Sequence, residues 1–403
     1  MIPMISTANP IAMLRRAVLA TALAFGILVP ASRADTTDII PNATQPDARN
    51  LGYVAQKIRD GRTVRVGFLG GSITQGAGAK RHSDSYYWQT KARLAEFAEK
   101  SGATIESALA AVGGTGSDYG AHRVGMQLLD KNLDLLVVEF AVNDYQNPNA
   151  LDGMEGIVRQ ALAANPHMGV VLFYTANRRM IEDCYNKGEL PPSIIAFNRI
   201  AQHYNLAEVN AGPKVRELFA SNRSTPELFF PDKTHPTSEG HAFYSDILSG
   251  ALITALQSAP APSEQALPAP LGSGRYERAT LLPISPVAMT GEWVQEKPGY
   301  YTYFGLWKTS VEGASLTFDI SGERVALLCG KLSRLHVTGP GIDKILRTPG
   351  KRNGIPTFQA LFDDAEHPVT GRITLTVEAD IKGDADAEII GLAVIRAKDP
   401  ASR

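Results

Sequence analysis

The stretch from Val64 to Gly78, VRVGFLGGSITQGAG, constrains the chain more than any other. Val64, Val66, Phe68 and Leu69 form the apolar, partly β-branched run expected of a parallel strand covered on both faces. Gly70 and Gly71 then allow a backbone turn that a Cβ would obstruct. A serine on such a turn stands at the carboxyl end of a strand, where open α/β sheets place their chemistry. Two other uses of glycine turns do not fit. A phosphate-cradling loop needs Lys and Ser/Thr where Ala77 and Gly78 stand. No phase of Gly67, Gly70, Gly71, Gly76 and Gly78 gives the dinucleotide pattern G-x-G-x-x-G. Ser72 is therefore a candidate nucleophile, to be judged by its partners.

Further strand patterns follow at 105–112, 133–142, 169–174 and 206–209. Helical patterns lie at 47–60, 84–100, 151–164, 193–204 and 237–256. This alternation predicts a parallel sheet covered by helices over residues 35–257. Residues 258–274, SAPAPSEQALPAPLGSG, read as a semi-extended Pro/Ala-rich linker. Beyond it, over 275–403, short alternating strands separated by Gly, Pro, Asp and Asn predict an all-β sandwich of the jelly-roll type. With 403 residues, 44% of them hydrophobic and 20% charged, the chain has enough apolar material for both cores.

The first 34 residues read as a signal peptide. Arg15 and Arg16 precede an apolar run from Ala17 to Val29, and Pro30-Ala31-Ser32-Arg33-Ala34 supplies a small-residue cleavage site. The run is too short for a permanent span, so no membrane span is expected after processing, and the mature protein is expected in a periplasm or outside the cell. A net charge of -1 without a basic stretch argues against a nucleic-acid partner. Cys184 and Cys329 fall in different predicted domains and read as two buried thiols, a cross-domain disulfide being the alternative. No C-x-x-C or H-E-x-x-H spacing occurs, and no metal or cofactor is expected.

Three more segments join Ser72. Gly113-Gly114-Thr115-Gly116-Ser117 follows the second strand, Asn143-Asp144 the third, and Asp232-Lys233-Thr234-His235-Pro236 precedes the last helix. Ser, Asp, His is one of the orders in which hydrolytic triads occur. Taken together the four segments resemble the SGNH hydrolases, also called GDSL-type esterases and lipases. The nucleophile segment matches as Gly70-Gly71-Ser72-Ile73-Thr74-x-Gly76, a variant reading Gly-Ser-Ile-Thr where many members have Gly-Asp-Ser. The second block matches at Gly114, the third as Ala141-Val142-Asn143-Asp144 with Ala where Gly is commoner, and the last as Asp232 to Pro236. The resemblance covers 64–256 and implies a three-layer flavodoxin-like fold with a five-stranded parallel sheet.

It also implies roles. Ser72 would be the nucleophile, His235 its base, and Asp232 the group orienting the imidazole. The N–H groups of Ser72 and Gly114 and the Asn143 side chain would form an oxyanion hole. Because the base must be neutral, activity is expected to fall in acid. The Gly-Gly-Ser-Ile-Thr and Gly-Thr-Gly-Ser variants resemble the branch that removes O-acetyl groups from polysaccharides, so the expected partner is an acetylated carbohydrate. The alternatives are a short-chain lipase or aryl esterase, a polysaccharide O-acetyltransferase and, outside catalysis, a glycan-binding module.

Some residues stay outside this set. Glu139, a carboxylate within an apolar run, is expected to pair with a cation such as Arg123. His241 and Glu239 read as structural, and His82, His122, His203 and His336 have no partner pattern. Trp293, Tyr300, Tyr301, Tyr303 and Trp307 read as core of the sandwich; stacking on sugars or walling the active-site cleft are the alternatives.

Overall fold

A computed structural model describes residues 48–264, 266–348 and 356–398. The expected signal peptide lies outside them, and so does Asp47, the expected cap of the first helix. Among the described residues no helix is long and apolar enough to cross a membrane.

The first part runs α1 (Gly52–Arg59), β1 (Val64–Gly70), α2 (Ser72–Gln75), α3 (Tyr86–Glu99), β2 (Ile105–Ala111), α4 (Ser117–Gln127) and β3 (Leu135–Glu139). It continues through α5 (Ala150–Ala164), β4 (Gly169–Tyr174), α6 (Arg178–Asp183), α7 (Pro192–His203), β5 (Ala207–Asn210), α8 (Gly212–Ala220), α9 (Pro226–Phe229) and α10 (Ser238–Ser258). The five strands form a parallel sheet in the order β2-β1-β3-β4-β5. That is the flavodoxin-like order, whose ligands bind beyond the carboxyl ends of the strands. Helices α4, α5 and α7 pack on one another on one face, and α1, α3 and α10 on the other. β3 and β4 are buried along their whole length, as strands covered on both faces must be. In register, Gly70 of β1 lies beside Ala111 of β2 and Glu139 of β3. The loops after those three strands therefore leave the sheet side by side.

The second part is antiparallel. Its strands are β6 (Ala279–Leu282), β7 (Ala288–Thr290), β8 (Val294–Glu296), β9 (Leu306–Thr309), β10 (Ser315–Gly322) and β11 (Arg324–Gly339). After them come β12 (Ile342–Thr348), β13 (Thr357–Asp363), β14 (Val369–Val377) and β15 (Ala387–Ile395). The central strand β11 pairs with β13 and β15 through its first half and with β12 and β14 through its second. Register shifts between Leu328 and Leu335 bend it, and one strand thereby serves both faces of the sandwich. Leu316, Phe318, Leu327, Leu335, Ile373 and Ile389 lie within the core.

The two parts share apolar contacts. Val112 and Tyr119 of the first form one buried cluster with Leu281, Leu306, Ala326, Leu328, Ile390 and Ala393 of the second. The Pro/Ala-rich stretch is bonded to α5. The buried Glu155 carboxylate accepts the N–H groups of Leu271 and Gly272, and Arg159 donates to the Pro268 carbonyl (2.6 Å) and to Glu277 (2.6 Å). Cys184 and Cys329 are both free and buried.

Candidate active site

Ser72 is the first residue of α2, directly after the turn that ends β1. As the first residue of a helix it has an N–H without a partner inside that helix. Its Oγ lies 2.8 Å from Nε2 of His235. Nδ1 of the same ring lies 2.6 Å from Oδ2 of Asp232. The imidazole donates from Nδ1 to the carboxylate, which leaves Nε2 as the acceptor for the Ser72 hydroxyl. Hydroxyl, imidazole and carboxylate thus touch in series across 163 residues of sequence.

The loop carrying the last two groups is fixed by its own carboxylate. Oδ1 of Asp232 accepts the N–H of Thr234 (2.9 Å) and of His235 (2.7 Å), an Asx-type turn. Lys233, between Asp232 and Thr234, is held at φ 70°, a left-handed conformation uncommon for a residue with a Cβ. Partial burial pushes the Asp232 carboxyl up, but the backbone N–H of His235, its ring and the N–H of Thr234 outweigh that and hold it below its usual range. The side chain of Asp232 is nonetheless 57% exposed and that of His235 26%. The carboxylate is thus in partial contact with solvent, where its charge is screened.

The remaining expected residues gather around Gly71. A Cβ on Gly71 would stand 2.1 Å from Oδ1 of Asn143 and 3.6 Å from the carbonyl oxygen of Thr115. Only glycine lets the Asn143 side chain lie this close to the turn before Ser72. Gly114 precedes Thr115 and takes φ 69°, the left-handed region that glycine enters without strain. Its neighbour Gly113 donates its N–H to Oε1 of Gln75 (3.2 Å). Nε2 of Gln75 in turn donates to the hydroxyl of Tyr301, in the second part of the chain (2.8 Å).

Three tyrosines of the loop between β8 and β9 face the first part. Tyr300 donates to the carbonyl of Ala111 (2.7 Å), Tyr301 accepts from Gln75, and Tyr303 meets the Tyr119 hydroxyl (3.2 Å). They do not lie in the sandwich core; Trp293 and Trp307 do pack against it. The tyrosines stand beside the strand ends because β2 and β1 terminate where the two parts meet.

Asp144, the residue after Asn143, is buried and accepts the N–H of Ser117 at the start of α4 (3.0 Å) and the amide of Asn147 (2.8 Å). Burial pushes its carboxyl up to about 6 against these donors. It joins the loop after β3 to the loop after β2. Neither Gln75 nor Asp144 is evident as a positioning group in the sequence. Asp144 lies within a recognised segment, while Gln75 shows only as the third residue after the serine.

Glu139 does not pair with Arg123. Its two oxygens accept the hydroxyls of Thr175 (2.7 Å) and Thr74 (3.0 Å), and burial raises its carboxyl to about 7. Arg123 lies on α4, fully buried, and donates to the carbonyls of Gly70 and Ala110 (2.9 Å each) and to Gln127. The strand ends offered it carbonyls, which cost no second buried charge. His241 accepts the N–H of Tyr86 at Nδ1 (3.3 Å) and donates from Nε2 to the Ala77 carbonyl (3.0 Å). Burial lowers it to about 4, so it stays neutral behind the site.

Residues 68–243 match the sequence model of the GDSL-like Lipase/Acylhydrolase family. No curated protein matches the chain by sequence. Its fold is similar to the crystal structure of a two-domain esterase, CEX, active on acetylated mannans and co-crystallized with mannopentaose. The TM-score is 0.73 at 22% identity, covering 89% of this chain and 97% of that one. A second structure described as the same two-domain esterase gives a TM-score of 0.73 at 22% identity, over 88% of this chain and 97% of the other. The likeness extends over both the α/β and the β part, so the two-part architecture is shared.

Proposed function

We propose that this chain is an exported serine esterase that removes O-acetyl groups from a carbohydrate, with Ser72 as nucleophile, His235 as base and Asp232 as its orienting acid. The observation that carries the reading is the unbroken series from Ser72 Oγ through the His235 ring to Asp232, at 2.8 and 2.6 Å. The acylhydrolase family match supports ester chemistry. The acetyl-carbohydrate substrate is supported by the likeness to an esterase active on acetylated mannans. Export rests on the reading of residues 1–34 as a cleaved signal.

In this mechanism the Ser72 hydroxyl proton passes to Nε2 of His235 as Oγ bonds to the acetyl carbonyl carbon. The carbonyl oxygen becomes an oxyanion, met by the N–H groups of Ser72 and Gly114 and by the Asn143 amide. Collapse of the adduct breaks the bond to the sugar oxygen, and His235 returns its proton to that leaving group. Water then adds to acetyl-Ser72 by the same route, releasing acetate and restoring the hydroxyl.

The test is acetate release from acetylated mannan and acetylated xylan by the full chain and by Ser72→Ala. Loss of release in the variant with binding of the glycan retained is the expected outcome. No release by the wild type from any acetylated glycan, with turnover of longer acyl or aryl esters, would replace the substrate class. Acetyl transfer to an added glycan in preference to water would replace hydrolysis.

A further inference from the structure

A cavity of about 270 Å³ lies where α4 meets β11, β13 and β15. It is far larger than the ~10–15 Å³ that one water needs. Gly114 and Thr115 form its edge on the side of Ser72, and His122, Arg324, Thr357 and Phe358 line its interior. His122 is 5% exposed. Nδ1 of its ring lies 2.8 Å from the carbonyl oxygen of Asp118, which can only accept, so Nδ1 carries the hydrogen. Nε2 therefore carries a lone pair, and it is buried without a partner among the described residues. Burial lowers the ring to about 4; the Asp118 carbonyl opposes this and the charge of Arg324 adds to it. At neutral pH the cavity thus presents an acceptor that lacks a donor, a costly arrangement unless something supplies an O–H or N–H.

The other walls narrow the donor's chemistry. Arg324 donates to the Tyr276 hydroxyl and faces Asp363 at 3.6 Å, so its charge is already compensated. An anionic ligand gains little there. Phe358 stands edge-on to Tyr119 at 4.5 Å between ring centres and gives the cavity an aromatic wall. Asp118, which also lines the cavity, adds a carboxylate that accepts the Tyr119 N–H and further disfavours an anion. One apolar wall, a hydroxyl-seeking nitrogen and a second acceptor suit a pyranose, with C–H groups on one face and donating hydroxyls around its rim.

We propose that this cavity is a subsite for a neutral pyranose unit of the glycan, next to the acetylated one, whose hydroxyl donates to Nε2 of His122. The proposal rests on the acetylesterase reading in one respect: Gly114 is shared, so a sugar in the cavity sits beside the ester held at the oxyanion hole. It also gives the β part a direct share in substrate recognition, through Thr357 and Phe358.

The experiment is calorimetric titration of the full chain carrying Ser72→Ala with deacetylated mannopentaose and with xylopentaose. At least one is expected to bind. His122→Phe in the same background keeps the ring and removes the acceptor, and is expected to weaken binding at least tenfold. Thr357→Phe, which fills the cavity from the opposite wall, should do the same with the thermal midpoint of each variant checked against the parent. Binding unchanged in both variants, or no binding of either sugar to the parent, overturns the subsite. Binding that depends on His122, with no acetate released from any glycan by the wild type, would sustain the subsite and remove the esterase reading. Acetate release with binding indifferent to His122 would do the reverse.

Discussion

Gly71 is the residue on which the turn before Ser72 depends most tightly. Gly71→Ala puts a methyl within about 2.1 Å of the Asn143 amide oxygen, so that side chain must leave its position. Loss of one oxyanion donor costs about 10²–10³ in turnover, and the variant is expected to lose kcat on that scale while remaining folded by circular dichroism. Wild-type kcat would place the Asn143 amide outside the reaction. Asp232 allows a second expectation. In a serine hydrolase, loss of the carboxylate costs roughly 3 × 10⁴ against roughly 2 × 10⁶ for the serine or histidine. Asp232 is more exposed than its histidine, so Asp232→Ala should retain at least ten times the kcat of Ser72→Ala or His235→Ala. Equal losses in all three would give the carboxylate a larger part than orientation.

Glu139 gives a stability prediction with a definite sign. Its carboxyl is raised from the ordinary 4.5 to about 7. Between those values the unfolded chain releases a proton that the folded one keeps, so native stability falls as pH rises through that window. The size is on the order of 3 kcal/mol. Asp144 acts in the same direction, but it is common to wild type and variant. The melting temperature of Glu139→Gln relative to wild type should therefore climb from pH 4.5 to pH 7 and then level. A constant difference would mean that the native carboxyl is already ionised. The sequence marked Glu139 as unusual, yet its partners were illegible: two threonines, 65 and 36 residues away, are neighbours only once the sheet exists. Ser72, Asp232 and His235 were legible because the segments around them carry recurring local geometry: a strand-to-glycine turn and an aspartate that caps its own loop.

Among the elements, the strands of the sheet and the long helices follow from apolar periodicity, and α10 matches its predicted span to within two residues. Periodicity conceals α4, α6, α8 and α9, of which α4 is the longest. The α4 sequence, SDYGAHRVGMQ, contains two glycines, a histidine and an arginine, and no helical pattern is assigned to it from sequence. Gly120 is there because a Cβ would meet the Phe140 ring at 2.8 Å, and Arg123 is buried because two strand ends needed a donor. Composition that argues against a helix is here the mark of close packing. The tyrosine loop between β8 and β9 was legible as an aromatic cluster but not in its destination. Its contact to Gln75 is testable. Tyr301→Phe removes the acceptor from a neutral hydrogen bond worth about 1 kcal/mol, or roughly fivefold in rate if all of it holds Gly113-Gly114 in place. A fall in kcat of about threefold to tenfold with KM held is the expected result. An effect on KM alone would make the ring a substrate contact instead.

For the whole molecule, both parts of the fold could be assigned from the change of texture at the Pro/Ala-rich stretch. How the parts adhere could not, because the joining groups are single residues of ordinary type. The cluster around Tyr119, Leu328 and Ala393 and the bonds from Glu155 and Arg159 to the connecting stretch tie the two cores together. Calorimetry is expected to give one unfolding transition for the chain. Two well-separated endotherms would mean that these contacts are too weak to couple the cores.

Tyr301 also bears on how such an enzyme could be altered. Its hydroxyl reaches the glutamine that accepts the Gly113 amide, so under the proposed mechanism the β part would act on reaction rate as well as on affinity. Exchanging that part for another sandwich, as a modular view of glycan-active proteins would encourage, should then reset turnover even on a soluble ester too small to reach the appended sheet. Engineers who graft a new sandwich onto this catalytic half would need to carry the tyrosine loop across with it.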